Sequence, residues 1–97
     1  MTSNQTIFDK LKKLKPGFES EYGVVALGVF GSVARNEVSD NSDIDIVVEM
    51  THVIPFALTH IKEKIEKECD APVDIVRLRK LMNPVLKKEI DRDVIYV

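Results

Sequence analysis

The sequence predicts an α+β fold, a mixed β-sheet with helices packed on it, from three observations. Short β-branched runs (Val24–Phe30, 43–49 and 73–78) alternate with segments whose apolar residues recur at helical spacing. The 97 residues, 11.0 kDa, have room for one hydrophobic core, so residues 1–97 are expected to form a single domain. Hydrophobic residues are 44% of the chain and charged residues 31%, ordinary for a globular protein and too apolar for disorder.

The elements follow in order. Ile7, Leu11, Leu14 and Phe18 recur at spacings of four, three and four, the stripe of a core-packed helix over residues 6–14. Pro16 is expected to interrupt it and to open a second short helix ending at Gly23, a left-handed residue just past the helix. Val24–Phe30 reads as a strand buried on both faces. Gly31 and Ser32 end it, residues 32–36 suffice for one or two helical turns, and residues 37–42 are polar and turn-like. Within 43–49, Ile44, Ile46 and Val48 point one way, Asp43, Asp45 and Val47 the other. Ile54, Leu58, Ile61 and Ile65 mark a helix with Pro55 in its first turn. Residues 73–78 form a third strand that carries Asp74 inside an apolar run. Asn83 and Pro84 start a last helix reaching about Asp91, and residues 94–97 form a closing strand. The order is α-α-β-α-β-α-β-α-β.

Composition excludes several function classes. The longest apolar stretch, Val24–Phe30, is far below the roughly 18 residues of a membrane span, so no membrane association is expected. The first six residues lack the basic patch and apolar run of a signal peptide. Cys69 is the lone cysteine, which rules out an internal disulfide and a cysteine-built zinc site and suits a cytoplasmic location. A net charge of -2 provides no overall basic field for holding a polynucleotide. The charge is uneven: Arg77, Arg79, Lys80, Lys87 and Lys88 cluster late, as either a solvated face or a contact to phosphate or partner.

The chemistry rests on three carboxylates and a glycine-serine pair. Asp43 and Asp45, two apart on a strand, project from one face with Cα atoms roughly 6.6 Å apart. Asp74 lies on the next strand between Val73 and Ile75, where an acid is costly unless paired. Two carboxylates about 5 Å apart at an effective dielectric near 20 repel by roughly 3 kcal/mol. Three together call for relief by a divalent cation or by protonation. With no histidine or cysteine beside them the donor set is oxygen only, which favours Mg²⁺ or Mn²⁺ over zinc. Gly31 lets backbone approach a ligand closely, Ser32 adds a hydroxyl for a phosphate oxygen, and Arg35 one turn on adds a cation. A simple helix start is the bland reading of that pair alone. His52 and His60 read as ordinary surface or boundary residues, and Cys69 as a core-edge residue.

Phe30-Gly31-Ser32-Val33-Ala34-Arg35, then Ser42-Asp43-Ile44-Asp45-Ile46-Val47-Val48, then Val73-Asp74-Ile75-Val76 and the ending over 86–96 together resemble the minimal nucleotidyltransferases of the DNA polymerase β-like superfamily. The chain looks most like the MNT antitoxins paired with HEPN-type ribonuclease toxins. The resemblance implies a polymerase β palm-like nucleotidyltransferase fold and roles residue by residue. Gly31 and Ser32 would bind the nucleotide phosphates, with Arg35 beside them. Asp43 and Asp45 would hold two Mg²⁺ ions, and Asp74 would complete the site and help deprotonate the attacking hydroxyl. The implied reaction moves AMP from ATP onto a hydroxyl, a tyrosine, of a HEPN-type toxin, with no direct nucleic-acid binding. The acceptor would come from another chain or from a second copy of this one. Two alternatives stand beside it: an antitoxin that neutralises by binding alone, and a nucleotidyltransferase acting on a small molecule.

Overall fold

The computed structural model describes residues 4–37 and 43–97. The elements are α1 (Asn4–Tyr22), β1 (Val24–Phe30), α2 (Gly31–Ala34), β2 (Ile44–Met50), α3 (Ala57–Cys69), β3 (Val73–Arg77), α4 (Pro84–Asp93) and β4 (Ile95–Tyr96). The four strands form one sheet in the order β3-β2-β1-β4. β1 pairs antiparallel with both β2 and β4, whereas β2 and β3 run parallel and are joined through α3, so the sheet is mixed as expected. No helix of the described residues is long and apolar enough to cross a membrane.

Alternation along the strands divides the apolar residues between two faces. Leu27, Val29, Ile44, Ile46 and Val48 point to one side, where Ile7, Leu11 and Phe18 of α1 and Ile61 and Ile65 of α3 close the main core. Phe30 and Val47 point to the other side and meet Ile90 of α4, with Val76 and Leu86 at its margin. The second face carries the smaller core.

Four details differ from the sequence expectation. Helix α1 is continuous through Pro16. Pro16 and Lys12 both lie on the exposed side of that helix, where a carbonyl deprived of its partner can turn to solvent and the helix need not break. β1 is not buried throughout, since Val25 is 51% exposed at its open start. Asp43 stands just before β2 and not within it. Pro55 precedes α3: it occupies a turn closed by the Ala57 N–H donating to the Ile54 carbonyl (3.1 Å), with Phe56 left-handed at φ 61°. Residues 38–42, and with them the expected polar turn and Ser42, lie outside the described residues.

Gly23, at φ 65°, ends α1 as expected, and its carbonyl accepts the Thr51 N–H at 3.0 Å, tying the helix end to the end of β2. Gly17, by contrast, sits inside α1 with open space where a side chain would go. Gly17→Ala is expected to raise the unfolding free energy by about 1 kcal/mol, read from urea denaturation midpoints at unchanged slope.

Candidate active site

The parallel register of β2 and β3 sets Asp45 directly beside Asp74. Both share the side of Val47 and Val76, the face that α4 covers only in part. On the other flank of β2, Phe30 is the register partner of Asp45, so the chain leaves β1 for α2 right at this carboxylate. Gly31 makes that passage at φ 70°, in the left-handed region. A Cβ at Gly31 would overlap Asp45 Oδ2 and come within 3.0 Å of its Cγ. The missing side chain is therefore the space that the Asp45 carboxylate occupies.

Burial, then repulsion from Asp74 and Asp43, pushes the Asp45 carboxyl above the usual aspartate range, and Arg35 offsets this only in part. Asp74 is exposed: β3 is an edge strand, and the acid opens into solvent instead of being sealed in the apolar run that surrounds it in sequence. Asp43, also exposed, acts on Asp45 by its charge from just before the strand. Among the described residues no three His, Cys, Asp or Glu side chains stand close enough together to hold a metal ion. The sequence expectation of three converging acids is thus met by one adjacent pair with a third acid nearby. The residues nevertheless suit a hard cation in kind, being oxygen donors whose mutual repulsion no neighbouring base cancels.

These residues line a pocket of about 300 Å³ together with Gly31, Ser32 and Arg35. Its far wall is α4, which contributes Leu86, Glu89, Arg92 and Asp93. Arg35 Nη1 donates to Asp93 Oδ2 at 2.6 Å, and its Nε to Glu37 Oε2 at 3.1 Å. Arg92 grips the same Asp93 with Nε and Nη2, each at 2.9 Å. Asp93 thus anchors two arginines at the rim of the pocket, its own side chain only 5% exposed. Of the residues singled out in the sequence, Gly31, Ser32, Arg35, Asp45 and Asp74 line this one pocket, and the α4 contribution was missed. One signal was available: Leu86, Ile90 and Asp93 follow at spacings of four and three, so an acid shares the buried stripe of that helix. His52 and His60 play no part here. Both are exposed, His52 against Thr51 Oγ1 (2.8 Å) and His60 against the Tyr22 ring (6.2 Å between centroids).

Two outcomes are expected. Gly31→Ala forces a left-handed alanine against Asp45 and costs about 1–3 kcal/mol from backbone strain alone, measurable by chemical denaturation. The Arg92 fork holds the Asp93 carboxyl at about 2. Because that value is depressed in the folded state, its contribution to stability is complete above the ordinary aspartate range near 3.9 and is lost as pH falls through about 2. Asp93→Asn is therefore expected to be less stable than the wild type at pH 7 and to converge with it toward pH 2 in a pH series of unfolding curves.

The comparisons agree with this geometry. The sequence profile of the family described as Polymerase beta, Nucleotidyltransferase matches residues 12–97. A Methanocaldococcus jannaschii protein provisionally named a protein adenylyltransferase is 35% identical over 98 residues, covering 100% of both chains. A solved structure provisionally named a minimal nucleotidyltransferase superposes with a TM-score of 0.78 at 29% identity, covering 96% of this chain and 94% of that one. In fold alone, a chain of the complex between the tri-AMPylated Shewanella oneidensis HEPN toxin and its MNT antitoxin is also similar (TM-score 0.69, 23% identity, covering 96% of this chain and 70% of that one). The chain with its paired aspartates beneath a glycine-hinged pocket belongs to the minimal nucleotidyltransferases of the polymerase β family.

Proposed function

We propose that this protein transfers AMP from ATP to a tyrosine hydroxyl of a HEPN-type ribonuclease partner and thereby acts as its antitoxin in the cytoplasm. The observation that carries the reading is the Asp45–Asp74 pair, in register across β2 and β3 and facing the pocket that Gly31 and Ser32 line. The relatives support protein adenylylation in particular, because the full-length M. jannaschii match bears that name and a HEPN toxin carrying AMP groups accompanies the fold neighbour.

In this reading Gly31 and Ser32 hold the triphosphate, and Arg35 adds positive charge at the rim. Asp43, Asp45 and Asp74 are the residues that would hold Mg²⁺, two ions by family resemblance, with Mn²⁺ as a substitute. A cation held there would supply charge neutralisation to the triphosphate and the departing pyrophosphate. The acceptor oxygen attacks the α-phosphorus, the bond from that phosphorus to the bridging oxygen of the β-phosphate breaks, and pyrophosphate leaves. Asp74, exposed on the edge strand of the sheet, would take the hydroxyl proton. Positioning and charge neutralisation carry such a transfer, and the protein forms no covalent intermediate.

The test is intact-mass measurement of the HEPN-type partner after incubation with this protein, ATP and Mg²⁺. A gain of one or more AMP units is expected, abolished in Asp45→Asn. That variant is expected to be at least as stable as the wild type at pH 7, since it removes a carboxylate whose ionisation burial and repulsion oppose. Neutralisation of the partner with no change in mass would favour an antitoxin that works by binding alone. AMP transfer to a small alcohol with none to protein would favour a small-molecule enzyme.

A further inference from the structure

We propose that the cavity at the carboxyl ends of β2 and β3 is where the acceptor protein docks, seating an apolar side chain beside one of its carboxylates. This rests on the reading of a protein acceptor given above. The cavity, about 560 Å³, is larger than the aspartate pocket and separate from it. Met50, Ile54, Phe56 and Ile75 make its apolar lining, and Arg77 and Arg79 supply its charge.

Three observations favour a macromolecule that carries an acid. Phe56 and Val53, at the mouth, are 75% and 71% exposed, although Phe56 is an aromatic held left-handed in the turn before α3. A small ligand buries itself inside a cavity, whereas rim aromatics of this kind are covered only by a surface laid across them. The Arg77 Nε–H is removed from water and has no acceptor, and among the described residues neither Arg77 nor Arg79 forms an ion pair. Arg77 and Arg79 are the charged residues of the lining and no acid is among them, so the complementary group is acidic.

Position fits the chemistry. Arg77 lies three residues past Asp74 on β3, about 10 Å along the strand, and points to the opposite face. β3 is the edge of the sheet, so a partner straddling that edge reaches this cavity with one segment and the aspartate pair with another.

The test compares the wild type with Phe56→Ser and Arg77→Gln, using the HEPN-type partner. Both changes lie outside the proposed catalytic machinery, and Phe56 is exposed, so its variant is expected to fold. Calorimetric titration gives the Kd for partner, and initial rates of AMP incorporation give KM and kcat. Each variant is expected to raise Kd and KM for the partner about tenfold or more, with kcat at saturating partner and the thermal shift caused by Mg-ATP unchanged. Wild-type Kd and KM in both variants would overturn the docking site while leaving AMP transfer intact. If the wild type binds the partner but transfers no AMP, the transferase reading fails and the Kd contrast alone still decides the docking site. Unchanged partner binding, together with loss of a wild-type thermal shift induced by phenylacetate, would assign the cavity to a small apolar anion and overturn the proposal.

Discussion

The arrangement depends on one close approach, that of the Gly31 backbone to the Asp45 carboxylate. β1 and β2 are antiparallel neighbours, and the register that pairs Phe30 with Asp45 brings the end of one strand against that acid of the other. Any side chain at position 31 would claim the volume of that carboxylate, and the positive φ there turns the chain into α2 toward the pocket. The same residue thus makes room for the acid and directs the backbone around it. The cost appears in the acid, whose ionisation is opposed by burial and by its neighbours. Such a group is unfavourable to the fold, and in the proposed function it is where positive charge would be received.

The opposite wall of the pocket uses the reverse arrangement. Asp93 is stabilised as an anion by two arginines, and through Arg35 it couples the end of α4 to the turn after α2. The small cluster of Phe30, Val47 and Ile90 holds α4 against the sheet just beneath these charges. One acid in the pocket is therefore compensated only in part, by Arg35, and the other is paired with two arginines, Arg35 among them. Packing on the second face fixes the spacing between the two, so the smaller core shapes the site although the larger one closes the other face of the sheet.

Much of this was legible in the sequence because strand alternation is strict. Ile44, Ile46 and Val48 against Asp45 and Val47 gave the two faces directly, and the glycine-serine pair after a buried strand gave the turn into the pocket. The pairing of Asp45 with Asp74 was readable as adjacency of strands, but its register was not, since register is set by the crossover through α3 and by packing. Pro16 misled because a proline on the exposed side of a helix leaves the freed carbonyl free to tilt toward solvent, so the helix can run on through it. Pro55 misled for a related reason: the proline preference for a first helical turn is also a preference for the second residue of a β-turn. The contribution of α4 was harder to see because one of the two partners of Asp93, Arg35, lies nearly sixty residues away in sequence, and the spacing that sets Asp93 on the buried stripe does not name that partner.

The lateness of α4 in the chain bears on how the molecule comes into being. A nascent polypeptide halted before Pro84 has already made both facing aspartates and the glycine hinge, but it lacks the helix that walls the pocket and the acid that braces Arg35. The walled pocket therefore forms only after the central strands exist, and a chain released before α4 carries the acids without that enclosure.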